Sequence, residues 1–266
     1  MIATVGRLTA ITHLPSPNLQ GGERTYVGHS AIDMALARRQ HEHYQDALRT
    51  IGALVVTLDD NLALPDCVFV EDTAIVLDEV AVMMSMGATS RRGEPAAIEA
   101  ALRNYRPIER VELPATIDGG DVVRAGRALY VGASPRTNAA GITALRDVVG
   151  RYGYSVTTVP VHECLHLKSG CSALPDGSFL VNAEWIDATP LEGPLVSVPA
   201  SEPWAADVLT AGNCIVVSDA FPETIALLRR ARFEVIPVAV SEFAKAEGGV
   251  TCMSLIFQTA NGSRLG

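Results

Sequence analysis

Five β-branched segments punctuate this chain at a recurring interval, and that interval constrains the fold more than any other feature. Val55-Val56-Thr57-Leu58, Val111-Glu112-Leu113-Pro114, Val156-Thr157-Thr158-Val159-Pro160, Leu195-Val196-Ser197-Val198-Pro199 and Val235-Ile236-Pro237-Val238 lie roughly 40 to 55 residues apart, a period expected of repeated supersecondary units. Amphipathic, helix-like stretches precede four of the five: Ala31 to Ile51, Pro95 to Tyr105, Asn138 to Tyr152 and Pro222 to Arg232. Asn138 suits an N-cap and Pro222 a first helical turn. The fourth unit, ahead of Leu195, carries no clear helix. Further strand-like sequence stands at Phe69 to Leu77, Asp121-Val122-Val123 and Ala128 to Val131, so the unit reads strand, strand, helix, strand. Such α/β units bury their apolar faces when arranged around a common axis, with the helices outside and the loops converging inside. A doubly wound parallel sheet accommodates the same elements. No Gly-, Ser- or Pro-rich linker divides residues 1–266, which predicts one domain.

Composition narrows the function classes. With 266 residues, 48% of them hydrophobic, and a mean hydropathy of +0.22, the chain has enough apolar material for a sizeable core. No apolar run approaches the roughly 18 residues that a membrane span needs. The segment Met1-Ile2-Ala3-Thr4-Val5-Gly6-Arg7 lacks a signal-peptide layout, so a cytoplasmic location is expected. Cys67, Cys164, Cys171, Cys214 and Cys252 are odd in number and unpaired in spacing, which disfavours a disulfide framework or a four-cysteine zinc site. A net charge of −9 argues against nucleic acid as the main partner and suits a small cationic one.

Several polar clusters interrupt this apolar background. Glu71 and Asp72 sit side by side in Phe69-Val70-Glu71-Asp72-Thr73, and buried acids require partners. On a strand the two would face opposite ways, although a solvated edge strand explains them as well. Asp118-Gly119-Gly120-Asp121 marks either a simple tight turn or a close backbone approach to a ligand. His162-Glu163-Cys164-Leu165-His166 fits the H-E-x-x-H zinc-hydrolase pattern, which needs both histidines on a stable helix. Pro160 before it and Gly170 after it leave little room for that helix. Arg91 and Arg136 stand in loop-like contexts, as solvated side chains or as forks for a carboxylate. Cys252, after Gly248-Gly249-Val250-Thr251 and before Leu255-Ile256-Phe257, is either a small buried hydrophobe or a nucleophile on a loop entering a strand.

The ordered set Phe69-Val70-Glu71-Asp72, Ile117-Asp118-Gly119-Gly120-Asp121-Val122, Leu165-His166-Leu167-Lys168-Ser169 and Gly248-Gly249-Val250-Thr251-Cys252-Met253-Ser254 resembles the dimethylarginine dimethylaminohydrolases. The resemblance runs from about Ala37-Arg38-Arg39-Gln40-His41 onward. It implies the five-unit α/β propeller, or pentein, of the guanidino-group-modifying superfamily. It also implies hydrolysis of an Nω-methylated arginine to citrulline and an alkylamine through a covalent cysteine thiouronium. Another guanidino substrate, as in arginine deiminases, is the alternative, and a zinc hydrolase is a more distant one. Carried over, Cys252 looks like the nucleophile, His166 the general acid/base, and Asp118 and Asp72 the carboxylates holding the guanidinium. Asp66 and Glu71 also line the site, Arg91 and Arg136 match the arginines on the substrate carboxylate, and Ala246 matches a backbone contact. Leu19 falls in the family's lid, around residues 14–29, where the match is poor. The resemblance calls for no cofactor and no metal, expects a small cationic guanidino compound as partner, and is compatible with a homodimer.

Overall fold

The computed structural model describes residues 6–259, so that most of the Met1-to-Arg7 segment lies outside it. In chain order its elements are β1 (Arg7–His13), α1 (Met34–Thr50), β2 (Leu54–Leu58), β3 (Ala74–Val76), β4 (Ala81–Met83), α2 (Pro95–Leu102), β5 (Ile108–Arg110), β6 (Val122–Ala125), β7 (Ala128–Ala133), α3 (Ala139–Gly150) and β8 (Ser155–Pro160). There follow a one-turn α4 (Leu167–Gly170), β9 (Cys171–Ala173), β10 (Phe179–Val181), β11 (Leu195–Ser197), β12 (Leu209–Ala211), β13 (Cys214–Ser218), α5 (Pro222–Arg230), β14 (Glu234–Val238), a one-turn α6 (Ser241–Ala244) and β15 (Leu255–Thr259).

The strands form five separate three-stranded sheets, not one doubly wound sheet. Each sheet repeats one design: an antiparallel pair whose second strand runs parallel to a third. The series is β3-β4-β5, β6-β7-β8, β9-β10-β11 and β12-β13-β14. The remaining sheet joins the two ends of the chain, because β15 pairs antiparallel with β1 (Ala10 opposite Ile256) and β1 pairs parallel with β2 (Ala10 opposite Val55). The first strand of every unit contributes to a narrow central cavity of about 250 Å³, lined among others by Ala74, Val122, Ser172, Leu209 and Leu255. This is a five-unit α/β propeller.

Helices cover the outside of the sheets. On α1, Ala37, Tyr44, Ala47 and Leu48 are buried along one face, the spacing of an amphipathic helix. The helix starts at Met34 and not at Ala31 because the Asp33 carboxylate accepts the Ala35 and Leu36 N–H groups at 2.9 and 3.0 Å. Asn138 caps α3 by accepting the Gly141 N–H at 2.7 Å, and Pro222 occupies the first turn of α5. The fourth unit has no helix between β10 and β11; Asn182 and Asp187 instead form side-chain-capped turns, accepting the N–H groups of Glu184 and Thr189. One strand expectation is corrected: β5 ends at Arg110, so Val111-Glu112-Leu113-Pro114 lies beyond it, in the connection that leads through Ala115, Thr116 and Ile117 to Asp118.

Candidate active site

Loops at one end of the central cavity bring the expected polar residues together. Glu71 and Asp72 are not on a strand but in a 3-10 turn, Val70–Thr73, closed by a Thr73 Oγ1 hydrogen bond to Val70 O at 2.7 Å. The turn sends both carboxylates into the buried interior, where each finds a cation: Lys168 Nζ at 2.6 Å from Glu71 Oε1, and Arg91 Nη1 at 2.6 Å from Asp72 Oδ2. The Glu71 N–H donates to Cys252 O at 3.1 Å and so ties this turn to the cysteine loop.

Asp118 precedes a second 3-10 turn, Gly119–Asp121. Both glycines are there because of close approach. A Cβ on Gly119 would lie 2.0 Å from Glu71 O, and one on Gly120 would lie 2.6 Å from Asp72 Oδ1 and 2.7 Å from His166 Nδ1. The Gly120 N–H donates to Asp72 Oδ1 at 3.0 Å. Asp121, fully buried, accepts from Ser134 Oγ, Thr137 Oγ1 and the Leu167 N–H, and thereby fixes the chain next to His166.

His166 stands in extended backbone immediately before α4, with its ring between two acids. Nε2 lies 3.2 Å from Asp118 Oδ2 and Nδ1 lies 3.7 Å from Asp72 Oδ1. Burial disfavours the imidazolium, yet Asp72, the hydrogen bond with Asp118 and the Asp121 charge outweigh it and raise His166 to about 9. For Asp72 burial again works against charge, and His166 and Arg91 hold its carboxyl well below the usual range. His162 and Glu163 are exposed and no helix spans residues 162–166, so the H-E-x-x-H arrangement required for the zinc-hydrolase alternative does not form. Asp72, Asp118 and His166 do have ligand atoms within 4.8 Å of one another.

Cys252 is half-buried in the turn before β15, and its Sγ accepts the Gly249 N–H at 3.3 Å. Burial is the largest influence pushing the thiol well up, followed by the charges of Asp207, Glu71 and Asp72. All five cysteines are free thiols.

The two arginines differ. Arg91 gives Nε and Nη2 to Glu94, Nη2 also to Phe69 O, and Nη1 to Asp72, so that one Nη1 hydrogen is left over. Arg136 is 8% exposed, its Nη1 lies 3.9 Å from Asp118 Oδ2, and that nitrogen has no hydrogen-bond partner among the described residues. Glu71 Oε2 is a second buried atom without one.

Over this cluster runs the segment from Leu14 to Asp33. Leu19, in the short 3-10 turn Leu19–Gly21, is fully buried and packs in one cluster with Phe69, Phe243 and Ala246. The segment is held from both sides. Asp66 Oδ2 accepts the Glu23 N–H at 3.0 Å and Glu23 bonds Ser90, while Glu247 accepts the Thr25 and Tyr26 N–H groups at 2.6 and 2.8 Å. Burial raises the Asp66 carboxyl. Thus Asp66, Leu19 and Ala246 gather at this segment, while Glu71, Asp72, Asp118 and His166 form the buried charged cluster and Cys252 stands in the turn before β15.

Sequence reasoning passed over four residues that the structure ties to this centre. Lys168 and Glu94 are the counter-charges of Glu71 and Arg91, and Glu247 clamps the covering segment. Asp207 accepts the Thr251 N–H at 3.0 Å beside Cys252. Only Lys168 had a signal available, as a lone cation inside the motif around His166.

The sequence profile described as N,N dimethylarginine dimethylhydrolase, eukaryotic, matches residues 26–174. The chain is 38% identical over 247 residues to the N(G),N(G)-dimethylarginine dimethylaminohydrolase of Streptomyces coelicolor, covering 92% of this chain and 95% of that one. To the enzyme of the same name from Pseudomonas aeruginosa it is 33% identical over 228 residues, covering 85% and 90%. The solved structure of a Cys-to-Ser mutant of the Pseudomonas aeruginosa enzyme complexed with citrulline superposes with a TM-score of 0.89 at 32% identity, over 95% of this chain and 100% of that one. With that likeness extending through the fold, the motifs and nearly the full length, the chain belongs to the dimethylarginine dimethylaminohydrolase family, enzymes that hydrolyse a C–N bond.

Proposed function

We propose that this protein hydrolyses an Nω-methylated arginine to citrulline and an alkylamine, with Cys252 as nucleophile and His166 as general acid and then base. The observation that carries this reading is the buried His166 ring held between Asp72 and Asp118, next to one unpartnered carboxylate oxygen on Glu71 and one unpartnered guanidinium nitrogen on Arg136. A zwitterionic amino acid with a cationic head matches both kinds of unsatisfied group. Asp72 and Asp118 hold the guanidinium, with Glu71 and Asp66 adding negative charge around it. Arg136 Nη1 takes the substrate carboxylate by a charge-assisted hydrogen bond. Arg91, committed to Asp72 and Glu94, acts mainly by fixing Asp72 and has one Nη1 hydrogen left to share. Leu19 and the backbone at Ala246 close over the amino-acid end.

A guanidinium carbon is a poor electrophile, and a covalent intermediate divides its hydrolysis into two steps. Cys252 Sγ adds to that carbon as a thiolate, its proton passing to solvent or to the site's bases. The C–N bond to the alkylamine then breaks, and the imidazolium of His166 gives the departing nitrogen its proton. Water next adds to the thiouronium carbon while neutral His166 takes a proton from it, the C–S bond breaks, and the water oxygen becomes the ureido oxygen of citrulline. The high pKa of His166, about 9, keeps it protonated at neutral pH for the first of these tasks. A bound guanidinium competes for Asp72 and Asp118, weakens their support of the imidazolium, and makes it a better acid just when the amine must leave.

The test is citrulline release from arginine, monomethylarginine, asymmetric dimethylarginine and symmetric dimethylarginine, with the amine identified. Dimethylamine or methylamine is the expected product. Ammonia from arginine as the preferred reaction replaces this reading with the deiminase one. Cys252→Ser is expected to fold and to be inactive, and citrulline formation in that variant removes Cys252 from the mechanism.

A further inference from the structure

The loop that carries Cys252 is held from behind by an acid at the entry to the β12-β13-β14 unit. Asp207 lies just ahead of β12, in a segment pinned by the Val208 N–H donating to Ser172 Oγ at 3.2 Å. Its Oδ1 accepts the Thr251 N–H at 3.0 Å and its Oδ2 meets Thr251 Oγ1 at 3.4 Å. Gly249 packs so tightly on the same carboxylate that a Cβ there would lie 2.1 Å from Asp207 Oδ2. Gly249 in turn donates its N–H to Cys252 Sγ. One carboxylate therefore touches the residue before the cysteine and the residue that hydrogen-bonds its sulfur.

We propose that Asp207 is a positioning residue for Cys252, and that the charge state of its carboxylate governs how readily the thiol ionises. This rests on the reading of Cys252 as nucleophile. A negative charge set behind a thiol opposes a second one, and the short polar bridges through Thr251 and Gly249 leave little solvent to screen it. Burial and the neighbouring Glu71 charge raise Asp207 to about 7, so the carboxyl changes state near neutrality. Facing it are Glu71 from the turn before β3, Lys168 from α4, Tyr44 from α1 and Cys252 itself. Asp207 also forms part of the wall of a cavity of about 470 Å³, across which stand Asp219, Lys245 and Glu247. Protons thus reach Asp207 from this cavity without passing through the residues beneath Leu19.

Asp207→Asn separates charge from position, because its amide still accepts from the Thr251 N–H and donates to Thr251 Oγ1. With the substrate-free protein, haloacetamide alkylation is followed against pH and the Cys252 peptide is read by mass spectrometry, since the other cysteines are free as well. The midpoint is expected to fall by about one pH unit, about ten-fold more thiolate at a given pH below it. Asp207→Ala is expected to lower the midpoint similarly and to reduce kcat about ten-fold below Asp207→Asn, as the loop loses both bonds. If the alanine variant does not fold, the asparagine variant decides alone. An unmoved midpoint in Asp207→Asn overturns the proposal. Because alkylation needs no turnover, that failure is distinct from retained activity in Cys252→Ser.

Discussion

Gly120 has room for nothing larger than hydrogen, since any side chain would enter the gap between Asp72 and His166. Gly120→Ala is expected to cost about 1–3 kcal/mol of stability, as an overpacked site does, and to lower kcat/KM at least about 100-fold by displacing the ring. Steady-state kinetics beside urea unfolding tests this, and near-normal activity in a folded variant would contradict the tight contact. His41 supplies a second test at this scale. It is buried with Nε2 unpartnered, and burial followed by the His13 charge lowers it to about 4. Its folded-state affinity for protons is below the unfolded value, so the unfolded chain binds more protons between pH 6.5 and about 4. Stability is therefore lost as pH falls through that window, by something on the order of 3 kcal/mol from this residue. His41→Leu should flatten that part of the acid limb in melts taken across the range. Glu71, Asp72, Asp118, His166 and Cys252 were legible in the sequence because each sits in a short motif. Asp207 was not, being a single acid in Trp204-Ala205-Ala206-Asp207-Val208 whose partners are far away in the chain.

At the level of elements, what the sequence reveals depends on the length of the apolar pattern. The helices α1 and α3 repeat their buried face over several turns and stand close to where the pattern predicts them. Phe69 to Thr73 is too short for its period to be read, and there apolar residues fold as a 3-10 turn in place of the expected strand, which is what lets Glu71 and Asp72 both point inward. Asn138 shows how a cap serves the site. Besides capping α3 it accepts the Thr116 N–H at 3.2 Å and donates to Pro114 O at 3.1 Å, steadying the approach to Asp118. Asn138→Ala is expected to lower stability by about 1–2 kcal/mol, measured by chemical denaturation. Glu247 governs the covering segment through two backbone N–H groups, from a left-handed backbone with φ of 64°. Glu247→Gln should raise KM roughly ten-fold with a smaller change in kcat, and speed proteolytic cleavage between Leu14 and Asp33. A uniform fall in kcat alone would place Glu247 in the chemistry and not in closure.

For the whole molecule, the ring is completed by the pairing of its last strand with its first. Without β15, β1 loses its inner neighbour, and the burial of Leu255 and Phe257 against Ile11, Ala81 and Leu102 goes with it. A chain ending at Ser254 is expected to show no cooperative thermal transition, and a sharp melt from that truncation would mean the other units are stable as an open arc. The five-unit periodicity was legible because every unit repeats the same demand for burial. Which strand seals the circle was not, since β15 and β1 share no motif and lie at opposite ends of the chain. Cys252 stands three residues before that sealing strand. On a ribosome, the acids and the histidine emerge before Cys252 and β15, so under the proposed mechanism a chain released ahead of Cys252 carries the charged cluster without its nucleophile.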